Sequence, residues 1–268
     1  MSKKKQILNQ WAIVTGASTG IGYCYCQLLL AKGYHLLGVS RNAQGILKLK
    51  KTYPNLQIKA YDLDLSDAEN VYKLYNLTKK LNVTIVINNA GYGVSGEFKN
   101  TNLTSELNML NLNINALHIL TKLFTERFLK YNYGRIINIA SIAAFQPGPL
   151  FSSYYASKAY VLNLSVAVNY ELRRAKSKVR VITICPGPLK TNFWKRSHGD
   201  NSKAYQSKIP MMKVDKFAQK SLRKALKAKK KNYILIGLSN KLVLFIYKLI
   251  PKNVVLSFIY KYQTNRNK

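Results

Sequence analysis

Three polar side chains near the middle of the chain have the types and spacing that proton transfer requires. Tyr154 and Lys158 lie four residues apart in the segment SSYYASK, and Ser141 lies thirteen residues before the tyrosine. A free phenol has a pKa of about 10, and an ammonium group one helical turn away favours the phenolate and lowers that pKa. A serine from another element would hold a substrate oxygen beside the phenol. The pattern therefore predicts proton transfer to or from an alcohol or carbonyl oxygen.

The N-terminal strand and helix are predicted to bind a phosphate group. Residues 11–15 form a strand-like apolar run, and residues 23–31 have a helical pattern. Glycines between them permit a tight turn, and a helix N-terminus offers N–H groups and a partial positive charge. The spacing G-x-x-x-G-x-G differs from the commonest dinucleotide fingerprint, and glycine-rich turns also occur as plain connections, but the strand and helix context favours a phosphate site. The predicted contacts are Gly16, Ser18, Thr19, Gly20, Ile21 and Gly22.

The end of the second predicted strand, residues 34–39, indicates which dinucleotide binds. An acidic residue at this place would bind the ribose 2′-hydroxyl of NAD, but the chain has Ser40 and Arg41 there. An arginine can pair with a 2′-phosphate, so the sequence favours NADP(H) over NAD(H). The alternative is that Arg41 is a solvated residue at the start of a helix over residues 42–51.

The third predicted strand, residues 57–61, leads to a candidate contact for the adenine. Asp64 and Leu65 follow it, and the Asp64 carboxylate would accept a hydrogen bond from the adenine amino group. Asp62 is an alternative. Either aspartate would otherwise cap the helix that is predicted to start near Asp67.

The fourth predicted strand, residues 83–87, ends in small residues and amides. Ligands of open α/β sheets bind in the crevice at the carboxyl ends of the strands. Asn89, Ala90 and Gly91 are therefore predicted to contact the cofactor. The alternative is that this segment is only a turn.

Together these motifs resemble the short-chain dehydrogenase/reductase family over about residues 10–195. They occur in the family's order: T-G-x-x-x-G-I-G at 15–22, N-N-A-G at 88–91, a serine at 141, Y-x-x-x-K at 154–158 and P-G at 186–187. The resemblance implies an oxidoreductase that transfers a hydride between a nicotinamide cofactor and a carbonyl or secondary alcohol.

The resemblance also implies a role for each matched residue. Tyr154 would be the general acid/base, Lys158 would lower its pKa and bind the nicotinamide ribose, and Ser141 would hold the substrate carbonyl. The neighbouring Tyr155 shares the face of Lys158, but the Y-x-x-x-K spacing and the gap from Ser141 favour Tyr154, with Tyr155 as a packing residue. Pro186, Gly187 and Thr191 would meet the nicotinamide.

The family also uses an asparagine that is linked to the lysine through a water. Asn113 fits best, because Ala116 and Thr121 fall where the family has a small residue and a threonine. Asn111 and Asn115 are alternatives.

The order of elements predicts the fold class, which is α/β. Strand-like runs alternate with helical stretches, so we expect one Rossmann-type domain over residues 1–268 with a doubly wound parallel sheet of about seven strands and a C-terminal helical extension. The predicted strands are 11–15, 34–39, 57–61, 83–87, 135–139, 179–184 and 233–236.

The net charge of +33, from 43 basic and 10 acidic residues, favours anionic partners. No nucleic-acid-binding module is recognisable, so specific nucleic-acid binding is not expected. The three histidines, His35, His118 and His198, are too dispersed to suggest a metal site. The three cysteines suggest no disulfide framework, and the N-terminus has no apolar stretch of signal-peptide length, so a cytoplasmic location is expected.

The segments around the predicted site are apolar. Residues 189–212 are a candidate lid over the substrate, and residues 145–151 would form the opposite wall. This composition favours a bulky or apolar carbonyl or alcohol substrate. The alternative is that these residues are core or a subunit interface.

The extension over residues 238–268 has two lysine-flanked apolar runs, 241–251 and 253–260, that are too short to span a membrane. Peripheral contact with an anionic membrane through residues 241–262, at the inner face, is one interpretation. The other is a helical pair that covers the pocket or forms an interface in a homo-oligomer. The alternative functions are a membrane-associated oxoacyl or lipid carbonyl reductase and a catalytically silent nucleotide-binding protein.

Overall fold

A computed structural model describes residues 9–189, 193 and 211–267. Seven parallel strands form one sheet in the order β3-β2-β1-β4-β5-β6-β7. Their bounds are β1 Trp11–Thr15, β2 His35–Ser40, β3 Ile58–Asp62, β4 Val83–Asn88, β5 Arg135–Ile139, β6 Arg180–Cys185 and β7 Tyr233–Leu235.

Helices connect the strands and extend the chain at its C-terminus. The α-helices are α1 Gly20–Leu30, α2 Ala68–Leu77, α3 Leu103–Leu110, α4 Leu117–Tyr131, α5 Ser152–Arg174, α6 Val214–Lys227, α7 Leu238–Leu249 and α8 Lys252–Asn267. Among the described residues, three short 3-10 helices cover Gln44–Lys51, Phe98–Asn100 and Ile142–Phe145, and a π-helical segment, Asn111–Ala116, joins α3 to α4.

Both faces of the sheet are covered, as the predicted doubly wound fold requires. Successive strand side chains point to opposite faces. Ala12 and Val14 pack with α1, α6 and the Gln44–Lys51 helix, whereas Trp11 and Ile13 pack with α2, α4 and α5. All five residues of β1 are buried, which explains why the strand reads as a continuous apolar run.

The seven predicted strands agree with the observed strands to within one residue at each end. The prediction of a helix over residues 42–51 is less accurate, since the structure has a 3-10 helix that begins at Gln44. Asp67 accepts a hydrogen bond from the Glu69 amide at 2.9 Å and caps α2. Capping by Asp62 or Asp64 is therefore excluded.

Candidate active site

A cavity of about 850 Å³ lies along the carboxyl ends of the central strands. This is the edge at which open α/β sheets bind ligands. Most residues predicted for the site lie on its wall: Gly16, Ser18, Thr19, Gly20, Ile21, Ser40, Arg41, Asp64, Leu65, Asn89, Ala90, Gly91, Ser141, Tyr154, Lys158, Pro186 and Gly187. Gly22 and Asn113 lie behind this wall, and Thr191 falls outside the described residues.

The glycine turn after β1 has a backbone that other residues would disturb. Gly16 and Gly20 have φ values of +63° and +57°, in the left-handed region. A Cβ added to Gly22 would lie 2.2 Å from the Gly16 carbonyl oxygen. The Asn89 side chain donates to the carbonyls of Thr15 and Gly16, at 2.9 and 3.1 Å. The amide at the end of β4 therefore holds the turn in front of the N-terminus of α1.

A hydroxyl and a cation lie together at the end of β2. The Ser40 Oγ atom is buried and has no hydrogen-bond partner among the described residues. Arg41 is exposed at the cavity wall, and neither salt bridge in the described part of the chain involves it. This corner of the cavity therefore has an exposed positive charge with a buried hydroxyl beside it.

The two aspartates near the end of β3 have different surroundings. Asp62 accepts from the Ala43 amide at 2.6 Å and so holds the start of the 3-10 helix, whereas Asp64 lies on the cavity wall. Burial opposes ionisation of Asp64, but hydrogen bonds from Ser66 and the charge of Arg41 hold the pKa of this carboxyl below its usual range. Of the two candidates for the adenine contact, only Asp64 reaches the cavity.

The proposed catalytic side chains meet at the centre of the cavity. Tyr154 and Lys158 occupy the first two turns of α5, and only 8% and 5% of their surfaces are exposed. The Ser141 hydroxyl lies beside the Tyr154 phenol and acts to lower its pKa. The Lys158 Nζ lies 5.7 Å from the centre of the Tyr154 ring and donates to the Ile139 carbonyl at 3.1 Å. Strand β5 therefore positions both the serine and the ammonium group.

Burial determines the charges of these groups. It raises the pKa of Tyr154 above its ordinary value, and the hydrogen bond from Ser141 offsets only part of that rise. It also lowers the pKa of Lys158 from 10.5 to about 8. The predicted lowering of the Tyr154 pKa by Lys158 is thus wrong for the protein alone, because desolvation disfavours both charged forms.

The rings of Tyr154 and Tyr155 meet edge to face with centroids 6.2 Å apart, but their other contacts differ. The Tyr155 ring lies against Gly148, where an added Cβ would be 2.4 Å from it. Phe151 and Phe193 instead pack on the Tyr154 ring, each with a centroid distance of 5.3 Å. Tyr154, with its hydroxyl at Ser141, is therefore the better placed of the two for proton transfer.

Asn113 lies behind the lysine and is 1% exposed. Its Nδ2 donates to the Tyr92 carbonyl at 2.9 Å and to the Ser157 hydroxyl at 3.1 Å. A Cβ added to Gly91 would lie 2.7 Å from Asn113 Oδ1 and 3.3 Å from Lys158 Nζ. Gly91 therefore permits the amide and the ammonium group to approach each other.

The helix around Asn113 contains a turn that the sequence pattern did not predict. Residues Asn111–Ala116 are π-helical, a conformation that is frequent at functional sites. Asn111 and Asn115 bond to each other at 2.8 Å in an exposed position. Of the three candidate asparagines, only Asn113 points toward Lys158.

The C-terminal helices form the remaining wall of the cavity. The Asn240 amide donates to the Ile236 carbonyl at 2.8 Å, and an added Cβ on Gly187 would lie 2.5 Å from the Asn240 side chain. The residues on the wall are Ser239, Asn240, Val243, Tyr247, Phe258, Ile259, Tyr262 and Gln263. Of the interpretations of this extension, a helical pair that covers the pocket agrees with these contacts.

These wall residues were not predicted individually. The buried residues Val255, Ile259 and Gln263 are spaced four apart on α8, and this spacing is the signal that could have identified its inner face.

Other apolar side chains of this pair are exposed, among them Leu242, Phe245 and Leu249. Within the described ranges, none of the helices has the length and apolar character needed to cross a bilayer. Contact with an anionic membrane and homo-oligomer formation stay predictions.

Only part of the candidate lid, residues 189–212, is described. Leu189 pairs with Met212 in an isolated β-bridge, and Phe193 contacts Tyr154. Trp194, Tyr205 and Ile209 lie outside the described residues. Phe151, from the predicted opposite wall, packs edge-on against Tyr154.

Known proteins share this sequence pattern and this arrangement. The sequence model of a family described as short chain dehydrogenase matches residues 10–202. A 3-oxoacyl-[acyl-carrier-protein] reductase from Buchnera aphidicola is 29% identical over 220 residues, which cover 80% of this chain and 86% of the relative.

Two solved structures share the fold. A short-chain dehydrogenase from Sphingobium yanoikuyae in complex with NADPH matches with a TM-score of 0.78 and 26% identity, over 88% of this chain and 91% of that one. A bulky-bulky ketone specific alcohol dehydrogenase from Comamonas testosteroni matches with a TM-score of 0.73 and 26% identity, over 91% and 93% of the two chains.

Proposed function

The chain belongs to the short-chain dehydrogenase/reductase family of oxidoreductases, and from this premise we propose that it transfers a hydride between NADP(H) and a bulky, apolar carbonyl or secondary alcohol. The observation that carries the proposal is that Ser141, Tyr154 and Lys158 line the same cavity as the glycine turn. This arrangement would place a proton donor, Tyr154, beside a dinucleotide-binding site.

The residues present fit a phosphorylated dinucleotide. The glycine turn packs closely on itself, since a Cβ at Gly22 would lie 2.2 Å from the Gly16 carbonyl oxygen. It lies in front of the N-terminus of α1, which attracts anions such as a pyrophosphate. Ser40 Oγ is a buried hydroxyl with no partner in the described part of the chain. Ser40 and Arg41 would hold the 2′-phosphate, and Asp64 would accept from the adenine amino group.

The chain's own residues handle the proton. The raised pKa of Tyr154 keeps the phenol protonated at neutral pH, so it can donate its proton to the substrate oxygen. Ser141 would donate a hydrogen bond to the same oxygen and stabilise the negative charge that develops there. A general acid contributes ~10²–10⁴-fold and an oxyanion donor ~10²–10³-fold. The bound nicotinamide supplies the hydride.

Lys158 and Asn113 would support this step from behind. The Lys158 ammonium group would bind the nicotinamide ribose. This group donates a hydrogen bond to the Ile139 carbonyl at 3.1 Å, which holds the lysine in place. Asn113 would connect the lysine to solvent and so return a proton to Tyr154. Pro186, Gly187 and Thr191 would contact the nicotinamide.

The cofactor preference is tested by steady-state kinetics. Because Arg41 would pair with the 2′-phosphate, kcat/KM for NADPH should exceed that for NADH. Arg41→Ala should lower the value for NADPH by about 10- to 100-fold and leave the value for NADH nearly unchanged. Equal use of both cofactors by the unmodified protein would contradict the preference.

The substrate class rests on the apolar walls. Phe151, Phe193, Val243 and Ile259 border the cavity around Tyr154. The similar Comamonas testosteroni enzyme is described as specific for bulky-bulky ketones. NADPH oxidation should be measured with ketones and aldehydes of graded size, and rates should rise with apolar bulk. Absence of turnover with every carbonyl would favour the catalytically silent alternative.

Reduction of a 3-oxoacyl substrate is a second candidate activity. The similar Buchnera protein has that activity in its name, and the apolar cavity is compatible with an acyl chain. Adding 3-oxoacyl thioesters to the screen of ketones and aldehydes separates the two candidate activities, because a thioester-specific enzyme would leave simple ketones unreduced.

A further inference from the structure

Two amide side chains on the cavity wall have no part in the proposed hydride transfer. Gln263 lies on α8, and Gln146 directly follows the 3-10 helix Ile142–Phe145, which Ser141 caps at its N-terminus. The Oε1 atoms of both glutamines are buried and have no hydrogen-bond partner among the residues that the structure describes. Buried polar groups in proteins normally have a partner, so two such atoms on one cavity wall call for an explanation.

Gln263 is the stronger case because only 4% of its surface is exposed. It follows Val255 and Ile259 at four-residue spacing on the buried face of α8, where an apolar residue would pack without any desolvation cost. Burying an unpaired amide is unfavourable. The glutamine is therefore costly to the folded protein unless something that enters the cavity binds to it.

Other polar side chains nearby already have structural roles. The Asn240 amide donates to the Ile236 carbonyl and packs on Gly187. Tyr262 stacks on Phe258 with ring centroids 6.4 Å apart. The two glutamine oxygens are thus buried amide acceptors on this wall that have no hydrogen-bond partner among the described residues.

We propose that Gln263, assisted by Gln146, accepts a hydrogen bond from a hydroxyl or N–H group of the substrate, remote from the reacting carbonyl. This inference rests on the proposed function for the identity of the reacting group. The substrate class is then an apolar carbonyl compound with a second, hydrogen-bond-donating group, rather than a plain hydrocarbon ketone. A site built to bond a substrate hydroxyl rejects the analogue that lacks it, because the buried partner is left unpaired.

The test uses decyl methyl ketone and its monohydroxylated derivatives, in which the hydroxyl group is placed on each successive carbon of the decyl chain in turn. Binding is measured by calorimetry, with and without NADP⁺, and turnover is measured as NADPH oxidation. At one chain position the hydroxyl group should tighten binding and raise kcat/KM by about 10- to 100-fold over the unsubstituted ketone.

Gln263→Met keeps the length of the side chain and removes its acceptor. It should abolish the preference for the hydroxylated derivative while activity on the unsubstituted ketone is kept, and Gln146→Met should reduce the preference in part. Thr264→Val is the matched control, because Thr264 bonds to the Tyr260 carbonyl on the same helix and lies off the cavity wall. It should leave the preference unchanged.

The outcomes separate this inference from the proposed function. A preference in binding without turnover would support the glutamine site and contradict the proposed reaction. Turnover without any preference along the series would support the proposed reaction and overturn the glutamine site. A preference that survives in a folded Gln263→Met protein would also overturn the glutamine site. If that variant does not fold, the Gln146→Met variant and the series measured on the unmodified protein decide the question.

Discussion

One end of the cavity is lined by main chain and small side chains, whereas the other is lined by large side chains from two late helices. The glycine end comprises the turn from Gly16 to Gly22 and the amide of Asn89 that holds it. The helical end comprises the wall residues of α7 and α8, of which Ile259 and Gln263 are buried. Tyr154, Ser141 and Lys158 lie between them.

The two ends of the cavity differ in how they tolerate substitutions. At the glycine end a single added carbon meets backbone atoms, which cannot move aside without shifting the turn. At the helical end side chains touch side chains, so a substitution changes the shape of the wall and leaves the strands in place. The match to the family also ends at residue 202, before α7 begins. We therefore expect the glycine end to serve the common chemistry and the helical end to select this protein's own substrate.

The largest effect on binding should come from filling the glycine end of the cavity. In Gly22→Ala the new Cβ lies 2.2 Å from the Gly16 oxygen, so the turn must move. Overpacking of this kind costs about 1–3 kcal/mol, and a loss of that size in binding free energy corresponds to about 5- to 150-fold weaker NADPH binding. Fluorescence titration with NADPH measures the change. Gly45→Ala is the control, since nothing lies within 4 Å of its added Cβ. Equal NADPH binding by the two variants would contradict the expectation that the glycine end does not tolerate an added carbon.

A smaller effect is expected at the helical end. Ile259→Ala removes part of the cavity wall, so KM for a bulky ketone should rise about tenfold while the Kd for NADPH is unchanged. Leu242→Ala is the matched control, because Leu242 is 57% exposed and does not border the cavity. A parallel loss of NADPH affinity in Ile259→Ala would show that the two ends are not independent.

The smallest effect concerns the lysine between the ends. Burial lowers the pKa of Lys158 to about 8, so its ammonium charge is present below that pH and is lost as the pH rises through it. NADPH binding should therefore weaken by about fivefold from one pH unit below this pKa to one unit above it. Lys158→Met should bind more weakly and show no such inflection. If the unmodified protein bound NADPH more tightly as the pH rises through this range, the predicted direction of the pH dependence would be wrong.

The glycine end could be predicted from the sequence because its signals are local. The turn, the strands before and after it, and Asn89 are each read from a few adjacent residues, and strands buried on both faces appear as continuous apolar runs. Ser40 and Arg41 were found by the same local reasoning, from the absence of an acidic residue after β2.

The helical end and the charges at the centre could not be predicted in the same way. The position of α7 depends on the contact between Asn240 and Gly187, which are far apart in the chain. The sequence favoured Asn113 over its neighbours, but the π-helical turn that contains it was not predicted. The raised pKa of Tyr154 depends on burial, whereas the spacing of Tyr154 and Lys158 predicted the opposite direction.

The most direct test of the central claim compares Tyr154→Phe with Tyr155→Phe. NADPH oxidation and NADPH binding are measured for both variants with the best ketone from the substrate screen. We predict that Tyr154→Phe lowers kcat by about 10²–10⁴-fold with unchanged NADPH binding, while Tyr155→Phe retains most of its activity. Normal turnover in Tyr154→Phe, or loss of turnover only in Tyr155→Phe, would contradict it.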